Sequence, residues 1–258
     1  MWKILKDSIA GTSHQDTGTP CQDSNEARST QPQDEDFLVL ACADGAGSAE
    51  FSQIGSSLAC EYFVARACEH LQAGVTMKDL DEATLLGWFH SVHEALSVEA
   101  QRRELLPRQL ACTLLVAIIG EHSAIFAQVG DGAIVIREDN EYRAVFWPQA
   151  GEYLNTTNFI TEPHFEKSFM CERREQIEEV ALLTDGLQML ALNFAAKGVH
   201  QPFFAPMFEM LRSAPAHEEL IVPFRRFLDS PNVNARTDDD KTLILATRRN
   251  GHAAPTPR

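Results

Sequence analysis

LACTLLVAIIGEHSAIFAQVGDGAIVIREDNEYRAVFW, residues 110–147, is the stretch on which the fold turns. LACTLLVAIIG (110–120) is an apolar run rich in branched residues, and HSAIFAQVG (122–130), AIVIRE (133–138) and EYRAVFW (141–147) follow at hairpin spacing. The pattern predicts one antiparallel meander. Outward from it, FLVLAC (37–42) reads as a buried strand, 167–172 and 179–184 as a strand pair, and 242–247 as a closing strand. The polar stretch SNEARSTQPQDED (24–36) reads as a loop between two early strands. Helical periodicity predicts helices over about 54–72 and 78–103, the second with Leu85, Trp88, Phe89, Val92 and Leu96 on its inner face. Pro107 closes that region, and further helix is expected over 186–197, 202–212 and 217–228. Helices in two groups separated by antiparallel strands predict an α+β layered domain.

The 258 residues suit a single domain over 1–250, with GHAAPTPR from Gly251 as a disordered tail. A net charge of −15 argues against nucleic acid or an anionic membrane as partner, since both are polyanions. No apolar run approaches the roughly 20 residues that span a bilayer, and the N-terminus lacks a signal-peptide pattern. The six cysteines form no C-x-x-C pair, and four lie in apolar segments. That usage predicts free thiols in a reducing compartment, hence a cytoplasmic address.

An Asp-Gly pair recurs just beyond apolar strands, as CADGAG (Asp44), QVGDGA (Asp131) and LLTDGL (Asp185). Asp238, Asp239 and Asp240 precede the closing strand in TDDDKTLILA. Each pair alone reads as a turn. As a set, carboxylates gathered at one sheet end would repel and raise one another's pKa. A hard divalent cation relieves that cost, because Mg²⁺ and Mn²⁺ take carboxylate, carbonyl and water oxygens. Gly45, with no Cβ, lets its carbonyl come close to an ion.

GTSH…PCQDS, DGAGSA, ACTLLVA, VGDG, GEYLNTTNFIT, LLTDGL and DDDKTLIL, in that order from about Gly11 to Thr247, resemble the metal-dependent protein serine/threonine phosphatases of the PP2C or PPM type, in a compact bacterial branch. The resemblance implies a central antiparallel β-sandwich flanked by helices on both faces, in four αββα layers, with metals in a cleft at one end. It implies hydrolysis of phosphoserine and phosphothreonine by direct attack of a metal-bridging hydroxide, with two Mn²⁺ or Mg²⁺ ions and a third, weaker site. Asp44 then matches the bridging carboxylate, Gly45 the carbonyl ligand, Asp185 a ligand of the first ion and Asp239 the last ligand, with a one-residue shift to Asp240 left open. Asp131 matches the third-site carboxylate, and Asp23 the residue acting through a metal-bound water. A phosphorylated protein is the implied substrate, a cognate serine/threonine kinase the implied counterpart, and a monomer the implied state.

Three positions depart from the family pattern. Gln22 stands where members carry Glu, Ala46 where some carry a general-acid His, and His14 in the neighbourhood of a phosphate-binding Arg. A metal-bound water is therefore preferred over His14 as the leaving-group acid. The rival reading is a catalytically silent relative that binds a phosphoprotein or a regulatory partner. Asp44, Asp185 and Asp239 favour the enzyme, because a binding module has no need of a costly acidic cluster. Cys60-x₅-Arg66 has cysteine-phosphatase spacing but falls within a predicted helix, on different faces. His90-x-x-His93 reads as exposed helix surface, Glu172–Glu175 as a solvated turn, and Gln149–Pro163 as a flap whose Asn155, Thr156, Thr157 and Asn158 suit a peptide or a turn.

Overall fold

The computed structural model describes residues 2–32, 35–148 and 157–248. Two five-stranded antiparallel sheets face each other. The first contains β1 (Trp2–Ile9), β12 (Lys241–Arg248), β9 (Glu179–Leu183), β6 (Ala133–Glu138) and β7 (Glu141–Ala144), in that spatial order. The second contains β2 (Ser24–Thr30), β3 (Phe37–Ala43), β4 (Leu114–Ile119), β5 (Ser123–Val129) and β8 (Met170–Glu175). The helices are α1 (Thr12–Thr17), α2 (Ser52–Gln72), α3 (Glu82–Arg102), α4 (Gln188–Ala191), α5 (Gln201–Ser213), α6 (Ile221–Leu228) and α7 (Pro231–Asn234). A short ribbon, β10 (Leu192–Asn193) with β11 (Gly198–Val199), follows α4.

The central strands are apolar throughout because each is covered on both faces. In β3, Val39, Ala41 and Ala43 pack with Phe63 and Val64 of α2 and Phe89 of α3. The alternate residues Leu38, Leu40 and Cys42 enter the inter-sheet core with Ile244 and Ala246 of β12. In β12, Leu243 and Leu245 turn outward to Phe204 and Phe208 of α5 and Phe224 of α6. The result is the expected αββα sandwich, α+β with helices on both outer faces.

The 110–147 stretch does not form one meander. β4 pairs with β5, and β6 with β7, but β5 and β6 belong to opposite sheets. The chain crosses between sheets at Gly130-Asp131-Gly132, where Gly130 has φ +117°. Hairpin spacing cannot register the switch, because a crossover and a tight turn need similarly few residues. The strands after it likewise part: β8 pairs with β5, while β9 pairs with β6 and β12.

Three further expectations are corrected. Residues 24–30 are the edge strand β2, paired with β3 from Ser24↔Ala43 to Thr30↔Phe37. An edge strand needs backbone partners on one side only and keeps charged side chains, so it lacks an apolar pattern. Glu172–Glu175 lie in edge strand β8, where Arg173 donates to the carbonyls of Met77 (2.9 Å) and Leu80. The helix expected over 186–197 shrinks to α4, because Asn193 Oδ1 takes the Ala196 N–H at 3.1 Å and turns the chain into the β10–β11 ribbon. The 251–258 tail lies outside the described residues.

A methyl group at Gly130 would sit 2.5 Å from Thr113 Cβ, on a backbone with φ +117°. Gly130→Ala combines overpacking with left-handed strain and is expected to cost about 2–4 kcal/mol. Urea unfolding measures it; a cost below about 1 kcal/mol would mean the crossover is not held where the structure has it.

Candidate metal centre

The strand ends converge at one edge of the sandwich. Asp44 follows β3, Asp131 sits in the crossover, Asp185 opens the 3₁₀ turn Asp185–Leu187 after β9, and Asp239 precedes β12. Carboxylate oxygens of Asp44, Asp131 and Asp185 all lie within 4.8 Å of one another. Among the described residues none of these three forms an ion pair with a cationic side chain, and Asp131 Oδ1 is buried with no hydrogen-bond partner.

Burial, and then the neighbouring aspartates, push these acids up. Asp44 is held well above the carboxylate range by burial, then by Asp23, Asp185, Asp239 and Asp131. Asp185 rises to about 7 through burial, Asp131 and Asp239. Asp239, more open to solvent, is also raised, with burial the leading cause and the nearby His14 acting against it. Half-buried carboxylates that share one space and lack a counter-charge fit a hard divalent cation, which supplies the missing positive charge and takes oxygen ligands.

The surrounding groups aim these residues. Asp44 N–H donates to Thr113 Oγ1 at 2.9 Å, and Thr113 N–H donates to the Asp44 carbonyl at 2.8 Å. Asp131 is held at both ends: Thr157 Oγ1 donates to Oδ2 at 2.6 Å and Gln188 Nε2 donates to its carbonyl. Gly45 abuts the second sheet's edge so closely that a Cβ would lie 2.5 Å from the Gln22 carbonyl oxygen. Its lack of a side chain is thus also a packing requirement.

Asp23 stands behind the cluster rather than within it. Thr184 Oγ1 donates to Asp23 Oδ2 at 2.7 Å and accepts the Thr242 N–H at 3.0 Å, so Asp23 ties the end of β9 to the start of β12. Burial, the largest cause, raises it to about 8, with Asp240 and Asp185 adding to the shift.

Asp240 differs from Asp239 in being fully engaged. Its Oδ1 accepts from Gly11 N at 2.7 Å and contacts His14 Nδ1 at 2.9 Å, and its Oδ2 accepts from Gln22 N at 2.5 Å. Among the described residues the Asp239 carboxylate keeps one hydrogen bond, from Asp240 N to Oδ1 at 2.8 Å. His14 therefore has a partner that sequence spacing did not reveal, since 226 residues separate the two. Gln22 is buried, with Nε2 on the Ala49 carbonyl at 3.4 Å and Oε1 unpartnered. Ala46 is buried against Ala49 and Ala111.

Sequence reasoning missed Thr113, Thr157 as an Asp131 partner, Thr184 and Gln188. Thr184 lies within the quoted LLTDGL motif and Gln188 directly after it, and Thr113 is the lone hydroxyl in the apolar run 110–119; those are the signals that were available. Gln149–Thr156 of the flap, including Asn155 and Thr156, lies outside the described residues. His90 and His93 do not gather ligands: His93 Nδ1 contacts the Ile160 carbonyl at 2.7 Å, and both rings pack on Phe165. In α2, Cys60 is buried and Arg66 exposed, so they share no face.

The family model for Protein phosphatase 2C matches residues 10–222, a span that ends before Asp239. Serine/threonine-protein phosphatase 3 of Escherichia coli (strain K12) is 35% identical over 249 residues, covering 95% of this chain and 98% of that protein. Among solved structures, serine/threonine phosphatase Stp1 from Staphylococcus aureus aligns with a TM-score of 0.64 at 14% identity, covering 97% of this chain and 96% of that one. RsbX, crystallised in complex with magnesium, aligns with a TM-score of 0.57 at 13% identity, covering 95% of this chain and 94% of that one. These two likenesses concern the fold.

The raised acids set a pH dependence for the metal-free protein. Folded Asp23 and Asp185 hold protons to about 8 and about 7, whereas an unfolded Asp releases its proton near the ordinary value of 3.8. Between those values the native state binds more protons than the unfolded state, so stability is fullest below about pH 4 and declines as pH rises toward about 8. The melting temperature without metal should fall across that window, and saturating Mn²⁺ should restore most of it at the alkaline end. Calorimetry tests this; a flat metal-free profile would sink the account of crowded, uncompensated carboxylates.

Proposed function

This chain belongs to the protein phosphatase 2C family, and from that premise we propose how its acidic centre works as a metal-dependent protein serine/threonine phosphatase. Asp44, the Gly45 carbonyl, Asp185 and Asp239 would hold two Mn²⁺ or Mg²⁺ ions, Asp44 serving both, and Asp131 would serve a third, weaker site. The observation that carries this is the cluster of Asp44, Asp131 and Asp185 within 4.8 Å, with no cationic side chain paired to it among the described residues. Bound divalent cations supply Lewis-acid charge for the phosphoryl oxygens and lower the pKa of water at the site.

The chain's own residues position and exclude. Asp23, Thr184 and the Thr242 N–H hold two ligand-bearing segments in register. Thr113 fixes the backbone of Asp44, and Gln188 fixes that of Asp131. Asp240 takes Nδ1 of His14, so Nε2 is the ring nitrogen left to contact the phosphoryl group in place of the family's Arg. With Ala46 buried, no side chain there protonates the leaving oxygen, and water is the preferred source of that proton. The substrate is a phosphorylated protein, opposed by a serine/threonine kinase, and the chain acts as a monomeric single domain. Six free thiols support a reducing, cytoplasmic setting. No helix among the described residues is long and apolar enough to cross a membrane. A silent binding module is disfavoured because it gains nothing from the strained cluster.

Mn²⁺-dependent hydrolysis of p-nitrophenyl phosphate and of a phosphothreonine peptide is the direct test. Asp44→Asn should abolish turnover and weaken Mn²⁺ binding measured by calorimetry; full activity at saturating Mn²⁺ would refute the bridging role. Asp239→Ala should cost several orders of magnitude in kcat with a near-native melting temperature. Asp240→Ala should act on stability instead, by about 3 kcal/mol or more, since it strands buried donors. A reversal of those two phenotypes would move the ligand register by one residue.

A further inference from the structure

A groove of about 1110 Å³ lies between α4 and the β10 ribbon on one side and α5, α6 and α7 on the other. Its volume is that of a site for several side chains. Met189 (67% exposed), Phe194 (43%), Met210 (41%) and Phe227 (37%) line it. They are half of the large, exposed apolar side chains among the described residues, so the exposure is concentrated rather than scattered.

Two observations identify the occupant. The first is continuity with the acidic centre. The Asp185–Leu187 turn runs directly into α4, where Gln188 bonds the Asp131 carbonyl and the next residue, Met189, lines the groove. On the opposite rim, α7 leads through Arg236, which also lines the groove, to Asp239 three residues on. The second is charge. In a chain of net charge −15, no Asp or Glu among the described residues lines this groove, and the ionisable lining residues among them are Arg236 and His200. Both are exposed, and no hydrogen bond or ion pair engages their side chains among the described residues.

We propose that this groove is the docking surface for the phosphoprotein substrate, receiving an apolar segment beside the phosphorylated residue while Arg236 faces that segment's acidic or phosphorylated end. The proposal rests on the phosphatase reading and extends it to substrate choice. Apolar side chains of the substrate leave water against Met210 and Phe227, and the cationic rim favours an anionic chain that the rest of the surface repels.

The test uses two phosphothreonine peptides of equal length and charge, one with Leu and Phe around the phosphothreonine and one with Ser and Gly. Both are assayed with Mn²⁺ beside p-nitrophenyl phosphate. The wild type should favour the apolar peptide about tenfold in kcat/KM. Met210→Glu and Phe227→Glu, both at solvent-facing positions, should each bring that ratio near one, and Arg236→Glu should raise KM for the apolar peptide. Circular dichroism melts establish that each variant is folded. Equal turnover of the two peptides by wild type, or a preference that survives in folded variants, overturns the docking surface while leaving p-nitrophenyl phosphate hydrolysis intact. Absence of Mn²⁺-dependent p-nitrophenyl phosphate hydrolysis overturns the phosphatase reading and the proposal with it. Self-association by sedimentation that Phe227→Glu abolishes would assign the groove to a second copy and also overturn it.

Discussion

Carboxylates at the ends of β3 and β9 and in the β5–β6 crossover are pressed together with no cationic side chain paired to them among the described residues, and much of the structure serves to keep them there. Left free, like charges in a half-buried space would separate or take up protons. Here the raised pKa values of Asp44 and Asp185 record that the backbone does not give way. The restraint comes from neutral partners. Thr113 holds Asp44, Thr157 and Gln188 hold Asp131, and Thr184 links Asp23 to the neighbouring strand. Hydroxyl and amide groups aim a carboxylate without neutralising it, which leaves its charge available to a cation.

The sandwich supplies rigidity from behind. β3, β4 and β9 are buried along their whole lengths, with one face in the inter-sheet core and the other under helices. A strand packed on both sides cannot slide by one residue without exchanging its two faces. The position of each strand end, and so of each aspartate, is therefore set by packing over the full strand. The switch of sheets at Gly130–Gly132 adds Asp131, a third carboxylate of the cluster, from the connection itself.

At the entrance of β12, Asp240 serves as a structural anchor. It gathers Gly11 N, Gln22 N and His14 into one buried knot, joining α1 and the start of β2 to the entrance of β12. Two of the three departures from the family pattern, Gln22 and His14, meet at this knot. Gln22 contributes its backbone N–H there, while its amide side chain reaches the Ala49 carbonyl. His14 acquires a carboxylate partner. Asp240 thereby fixes the ring of His14.

Fold class, the central strands, the two long helices and the recurrent Asp-Gly ends were legible because burial writes itself as apolar runs and helical periodicity, and turns as Asp-Gly. Asp44, Asp131 and Asp185 could be singled out on that basis. The edge strands β2 and β8 were not legible, since their hydrogen bonds use the backbone and their side chains face water. Nor was the division of 110–147 between two sheets, because a short connection has the same composition whichever sheet follows. The sequence alone determined which residues are acidic at strand ends. Only the tertiary structure decided that three of them share one space, that Asp23 braces from behind, and that Asp240 is spent on Gly11, His14 and Gln22 while Asp239 remains open. The contacts of Asp23 and Asp240 span 161 and more residues, and no local pattern encodes a distance between segments that only packing brings together.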